Sequence, residues 1–176
     1  MVHMPARPLP IEGELFAIRT IRKDDADRLQ AFMTSLSAES RYFRFLDAIR
    51  ELPPQLLRCF VEVDFTRDMA LVIVQGYGEA DERVVAVGRY FGDEDGKSCE
   101  FALAVADAWQ HHGLGHHLME ELLSSAASHG YQRMHGDVLA ENNGMLHLMK
   151  NLGFAVRYSS EDPTLRVVER QVAATA

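Results

Sequence analysis

The apolar residues of this chain change their spacing twice, from every third or fourth position to every second and back again. Few folds accommodate that double change. Phe16 to Ile21 reads as a strand, and Asp24 starts a helix whose Leu29, Phe32, Met33 and Leu36 fall at i, i+3, i+4 and i+7. A second helical stretch covers Ser37 to Phe45, and Pro53-Pro54 open a third short helix carrying Leu56, Leu57, Phe60 and Val61. The period then drops to two. Met69 to Gln75, Val84 to Tyr90 and Cys99 to Val105 are β-rich and parted by turn-rich segments, which predicts a three-stranded antiparallel meander. Helical spacing returns after Gly113, with Leu114, Leu118 and Leu122 stacked on one face and Gly130 as the stop. A strand from Arg133 to Leu139, a helix from Asn143 to Leu152 and two strands, Phe154 to Tyr158 and Leu165 to Gln171, complete the order. The expectation is one α+β domain over residues 14–172. Residues 1–13, with three prolines and no periodic pattern, read as a loosely held N-terminal extension, and residues 173–176 as a C-terminal tail.

Charge and hydropathy remove several function classes. The net charge of −8 and the absence of any basic run longer than Arg22-Lys23 argue against a nucleic-acid partner held by phosphate neutralisation. The longest apolar runs, Met69 to Val74 and Phe101 to Ala106, are far short of the roughly 20 residues of a membrane span, so no membrane partner is expected. The first residues lack the apolar stretch of a secretory signal, which leaves the cytoplasm as the default location. Cys59 and Cys99 match neither a metal spacing nor a disulfide framework and read as two reduced thiols.

The most informative segment is Val105-Ala106-Asp107-Ala108-Trp109-Gln110-His111-His112-Gly113-Leu114-Gly115, a strand end that passes through a loop into an amphipathic helix. A helix N-terminus offers unpaired N–H groups and about half a positive charge, and glycines let an anion approach the backbone. The segment is neither a dinucleotide fingerprint nor a P-loop, and a Gly-x-Gly at a helix start is also an ordinary packing turn. Four histidines, His111, His112, His116 and His117, crowd it. His112 and His116 have the i, i+4 separation of a metal pair, but no His-Glu-x-x-His pattern or third ligand accompanies them, so no metal is expected.

Gln110, Gly113 and Gly115 match the three fixed positions of the acyl-CoA-binding motif of the GNAT acetyltransferases, and Val105 sits at the apolar end of the preceding strand. Asn142 and Gly153-Phe154 resemble the next motif of that family. The segments Ser37 to Phe45, Val63 to Leu71 and Glu100-Phe101-Ala102 look more closely like the GNAT domain of bacterial protein lysine acetyltransferases. The resemblance covers nearly the whole chain and implies a mixed, mostly antiparallel sheet of about seven strands flanked by helices.

The same resemblance implies acetyl-CoA as acyl donor and a primary amine as acceptor, foremost a protein lysine side chain. Main-chain groups at Leu103 and Val105 would bond the pantetheine arm, and amides from His111 through Gly113 and Leu114 to Gly115 would hold the pyrophosphate. Asn142 would bond the donor, cap the following helix, or do both. An alkylammonium must lose a proton before it can attack a thioester, and Glu100 matches the general base of the protein-acetyltransferase branch. Many family members carry a Tyr four residues before the Gly-Phe glycine as general acid; Met149 stands there, so no acid is assigned. A small-amine acetyltransferase and a non-catalytic acyl-CoA-binding module are the alternatives. The oligomeric state is not legible.

Overall fold

Met69 to Val74 is buried at every position, on both faces. That is what an apolar run without alternation demands, and it makes this strand the centre of the sheet. In the computed structural model, which describes residues 4–45 and 51–172, helices cover it from both sides. The elements in chain order are β1 (Arg7–Ile11), β2 (Glu14–Thr20), α1 (Ala26–Ser35), α2 (Ala38–Phe45), α3 (Pro54–Val61), β3 (Met69–Gln75) and β4 (Arg83–Gly92). There follow β5 (Ser98–Val105), α4 (Leu114–Ser128), β6 (Arg133–Leu139), α5 (Asn143–Asn151), β7 (Ala155–Tyr158) and β8 (Leu165–Gln171).

The described strands form one sheet in the order β1-β2-β3-β4-β5-β6-β8-β7. The β3-β4-β5 meander is antiparallel as expected, and among the described residues β5 and β6 make the only parallel pair. A parallel pair needs a crossover, which α4 supplies, lying across β3, β4 and β5. Its Leu114, Leu118, Met119 and Leu122 enter one core with Phe101, Leu103 and Met134. The opposite face of β2, β3 and β4 packs against Leu29, Phe32 and Met33 of α1 and Val61 of α3 in a second core.

The sheet has eight strands, one beyond the expected seven. The additional strand is Arg7–Ile11, inside the segment expected as a loose extension. It pairs antiparallel with β2 and buries Leu9 and Ile11. Pro8 and Pro10 conceal it in the sequence, but an edge strand tolerates prolines whose missing N–H groups face away from its neighbour.

One polar cluster lies inside this apolar frame. Arg19 on β2 and Asp25 at the entry to α1 are buried and joined by two hydrogen bonds of 2.7 and 2.8 Å, and Glu82 bonds the same guanidinium at 2.8 Å. Burial pushes the Asp25 carboxyl upward, but bonds from Arg19 and from the Arg22 amide outweigh it and hold the group below the ordinary carboxylate range. A carboxyl depressed on folding adds stability above its unfolded pKa, near 3.9, and loses it as pH falls through the lower folded value. Asp25→Ala is therefore expected to cost about 3 to 5 kcal/mol at pH 7, by stranding Arg19. Urea denaturation should show this, with the gap from the wild type narrowing as pH falls below about 4.

Candidate active site

Strands β5 and β6 keep register for three pairs, Ser98↔Arg133, Cys99↔Met134 and Glu100↔His135, and then part. Phe101 marks the divergence. Its ring lies where a Cβ on Gly136 would stand, 2.7 Å from the ring edge, so the two strands meet there only because position 136 has no side chain. Beyond that point β5 continues beside β4 alone.

Strand alternation fixes what lines the gap. The Ala106 amide donates to the Val85 carbonyl on the β4 side, so the main-chain groups of Val105 and Leu103 point the other way, toward the gap. The Val105 carbonyl there accepts Gln110 Nε2 at 3.2 Å. The same amide nitrogen donates to Ser40 Oγ at 3.1 Å, and that hydroxyl donates to Asp107 Oδ2 at 3.2 Å. Asp107 also accepts the Ser37 amide, at 3.1 Å, and so fastens the start of α2 to the loop after β5. Burial works to raise the Asp107 pKa, but bonds from Ser37 and Ser40 prevail and hold it below the ordinary value.

The mouth of the gap opens into a cavity of about 660 Å³, a size suited to a cofactor-sized ligand. Leu103, Val105, Gln110, His111, Gly113, Leu114, Gly115 and Asn142 all line it, so the structure gathers every predicted donor-binding residue around one space. The amides of Leu114, Gly115 and His116, in the first turn of α4, have no protein acceptor among the described residues.

The two motif glycines act differently. Gly113 caps α4 in the left-handed region at φ 86°, with open space where a side chain would begin. Gly115 is a packing glycine: a Cβ there would meet Leu148 of α5 at 3.1 Å and Leu103 at 3.4 Å. His111 also has positive φ, 66°, a strained conformation for a residue with a side chain. The Asn142 side chain accepts the Met145 amide at 3.2 Å and caps α5; its NH2 group is left for the cavity it lines.

Glu100 stands apart from these residues. It is exposed on β5, three positions and roughly 10 Å before Leu103, at the closed end of the gap and outside the cavity wall. Its side chain shares a sheet face with Phe91 and His135, its register neighbours. Met149 is fully buried in the core and does not reach the cavity. Cys99 is buried too, and burial pushes its thiol up to about 12, which suits packing and not acyl transfer. His112 is bonded to Glu12 and His116 to Glu120, so each imidazole of the i, i+4 pair has its own carboxylate. Among the described residues no helix is long and apolar enough to cross a membrane.

Sequence reasoning missed Ser40, Phe43, Asp107, Glu141 and His147 as cavity residues. Ser37 does carry a capping signature, since its Oγ accepts the Ser40 amide at 3.1 Å, but the link to Asp107 spans about seventy positions and leaves no local trace.

A splayed parallel pair, unpaired β5 main chain and a helix N-terminus facing one cavity define an acyl-CoA-dependent transferase. The model of the acetyltransferase (GNAT) family matches residues 31–154, and the chain belongs to this family. GNAT enzymes take acetyl-CoA as donor and an amine as acceptor. The chain is 33% identical to acetyltransferase PA5475 of Pseudomonas aeruginosa over 159 residues, 90% of this chain and 84% of that protein. It is 31% identical to acetyltransferase Pat of Mycolicibacterium smegmatis over 150 residues, 83% of this chain but 44% of the relative. The GNAT domain of S. lividans PAT superposes with a TM-score of 0.84 at 24% identity, covering 94% of this chain and 96% of that one, which shows the shared fold.

Coenzyme A at 100 times its dissociation constant is expected to add about 2.7 kcal/mol of stability, roughly 5 to 10 °C in Tm for a chain of this size. Gly113→Val puts a β-branched side chain at positive φ in the donor path. It should remove most of that shift while the protein still melts cooperatively, and differential scanning fluorimetry with and without CoA reads both. A full shift in the folded variant would exclude the loop at Gly113 as the place where CoA binds.

Proposed function

We propose that this chain acetylates protein lysine side chains in the cytoplasm, with Glu100 as the general base. Leu103, Val105, Gln110, His111, Gly113, Leu114, Gly115 and Asn142 hold acetyl-CoA. The observation that carries the proposal is the end of the β5-β6 register at Glu100↔His135. An extended arm lying along the free edge of β5 from the cavity ends at that closed point, and the exposed Glu100 carboxylate stands there. The 31% identity to acetyltransferase Pat, with the resemblance of Ser37 to Phe45, Val63 to Leu71 and Glu100 to Ala102 to protein lysine acetyltransferases, supports a protein acceptor.

The chemistry sets what Glu100 has to do. A lysine with a pKa of about 10.4 is neutral in roughly one molecule per thousand at pH 7.4, a free-energy gap of about 4 kcal/mol. A carboxylate at the point of attack takes the proton as the amine nitrogen reaches the thioester carbon. With Met149 enclosed in the core, no side chain at that position protonates the departing thiolate.

Glu100→Gln keeps shape and should keep the CoA-induced Tm shift. It is expected to lower turnover by about 10² to 10⁴ at neutral pH, the range for general-base catalysis. The loss should shrink toward pH 10 as more acceptor is already neutral. Thiol release from acetyl-CoA, run over a protein panel and a set of small amines with mass-spectrometric location of the acetyl group, tests both parts. Parallel pH profiles of equal height would remove Glu100, and transfer to small amines alone would overturn the lysine acceptor.

A further inference from the structure

Acetylating an ammonium group takes two protons from nitrogen. The amine must be neutral to attack, and after the C–N bond forms the nitrogen loses a second proton to become the amide. One proton ends on the CoA sulfur and one is released. Glu100 accounts for a single acceptor, and Met149 accounts for none.

A second titratable side chain stands at the same point. His135 is the β6 residue in register with Glu100, and the pair two positions back shows that register neighbours here share a face, since Arg133 Nε donates to Ser98 Oγ at 3.3 Å. His135 Nε2 lies 2.6 Å from Asp93 Oδ2. Asp93 follows the end of β4 and is level with Ser98, whose carbonyl accepts the Asp93 amide at 2.9 Å. The His135–Asp93 bond therefore crosses over β5 on the face that carries Glu100. With Nε2 committed to Asp93, Nδ1 is the nitrogen left to take a proton, and His135 makes no other hydrogen bond among the described residues.

Three other carboxylates share this face of the sheet. Glu169, the register neighbour of His135 on β8, is held by Arg133 at 2.8 Å and by Arg157 at 3.6 Å. Asp137, two residues on, is exposed, and Glu100 is the register neighbour on β5. Among the described residues, Asp93 alone is bonded to the ring.

We propose that His135, oriented by Asp93, is the second proton acceptor at the closed end of the gap. This rests on the reading that transfer takes place there. Glu100 and His135 divide the two nitrogen protons. One becomes the proton of a neutral carboxyl, the other that of an imidazolium whose Nε2–H donates to Asp93. The imidazolium then gives its proton to the CoA thiolate and the Glu100 carboxyl releases its own to water, which balances the reaction without a tyrosine and restores both acceptors.

The test pairs kinetics with a readout that needs no turnover. In the protein without substrate, the His135 ring proton signals followed by NMR at one fixed pH should change position in Glu100→Gln and in Asp93→Asn, because both carboxylates lie on the ring's side of the sheet. His135→Gln should lower kcat by about 10- to 100-fold with the KM for acetyl-CoA and the CoA-induced Tm shift unchanged. Its pH–rate profile should differ in shape from those of the wild type and of Glu100→Gln. If His135→Gln does not fold, Asp93→Asn carries the kinetic test with a smaller loss. His135 ring signals unmoved in Glu100→Gln, or a wild-type pH profile in His135→Gln beside a crippled Glu100→Gln, overturns the proposal and leaves the Glu100 base standing. A crippled His135→Gln beside an active Glu100→Gln does the reverse, and a wild type that acetylates no amine removes both.

Discussion

The molecule is organised around a hydrogen-bond ladder that stops. After Glu100↔His135, β5 has no strand on one side, and its main-chain N–H and C=O groups face an opening that must supply partners. The Val105 carbonyl has found one in Gln110 Nε2. A pantetheine arm, itself built of amides, is a partner of matching chemistry for the rest. The divergence is held from within: Phe101 lies against Gly136 on one side, and the crossover helix α4 pins β3, β4 and β5 on the other.

The cavity at the open end reconciles an acidic chain with an anionic donor. Among the described residues none of its lining side chains is Lys or Arg, and Glu39, Asp107 and Glu141 are among them, so what it offers an anion is the unpaired amides at the α4 N-terminus. Local backbone conformation aims these groups. Gly113 in the left-handed region turns the chain so that the first amides of α4 face the cavity, and His111, also at positive φ, sets its ring against Gly144 at the start of α5. The hydrogen bonds that join Asp107, Ser40 and Gln110 keep α2 against this loop, so the wall is made from segments far apart in the chain.

The closed end has the opposite character. α1 and α3 cover β2, β3 and β4, while Glu100, His135 and Asp137 stand on a face whose side chains are ion-paired or solvated instead of packed. Access is what an acceptor as large as a protein requires. Carboxylates there favour a cationic side chain. The cavity and the solvated end are thus set by the same parting of strands, seen from its two ends.

Periodicity carried most of the fold into view. The amphipathic repeat from Leu114 to Leu122, the unbroken apolar run of β3 and the stops at Gly130 and Gly153 are local signals, and each element they predict is present. β1 escaped because two prolines in five residues mask an edge strand whose partner is needed to reveal it. The donor loop was legible because Gln110, Gly113 and Gly115 are close in sequence and their spacing follows from turning a strand into a helix. Gly113 and Gly115 looked alike there, and only packing separates a conformational glycine from one that admits Leu148 and Leu103. Glu100 could be named from its strand, but its neighbours could not. Asp93 and His135 lie 42 positions apart, and no local pattern encodes the register that brings them across β5. The sequence by itself determined the elements other than β1, and with them the glycine-bearing loop from β5 into α4, because those depend on residues within a turn or two of one another. Tertiary structure alone decided where β5 and β6 part and which side chains meet there, because strand register is a contact between distant segments.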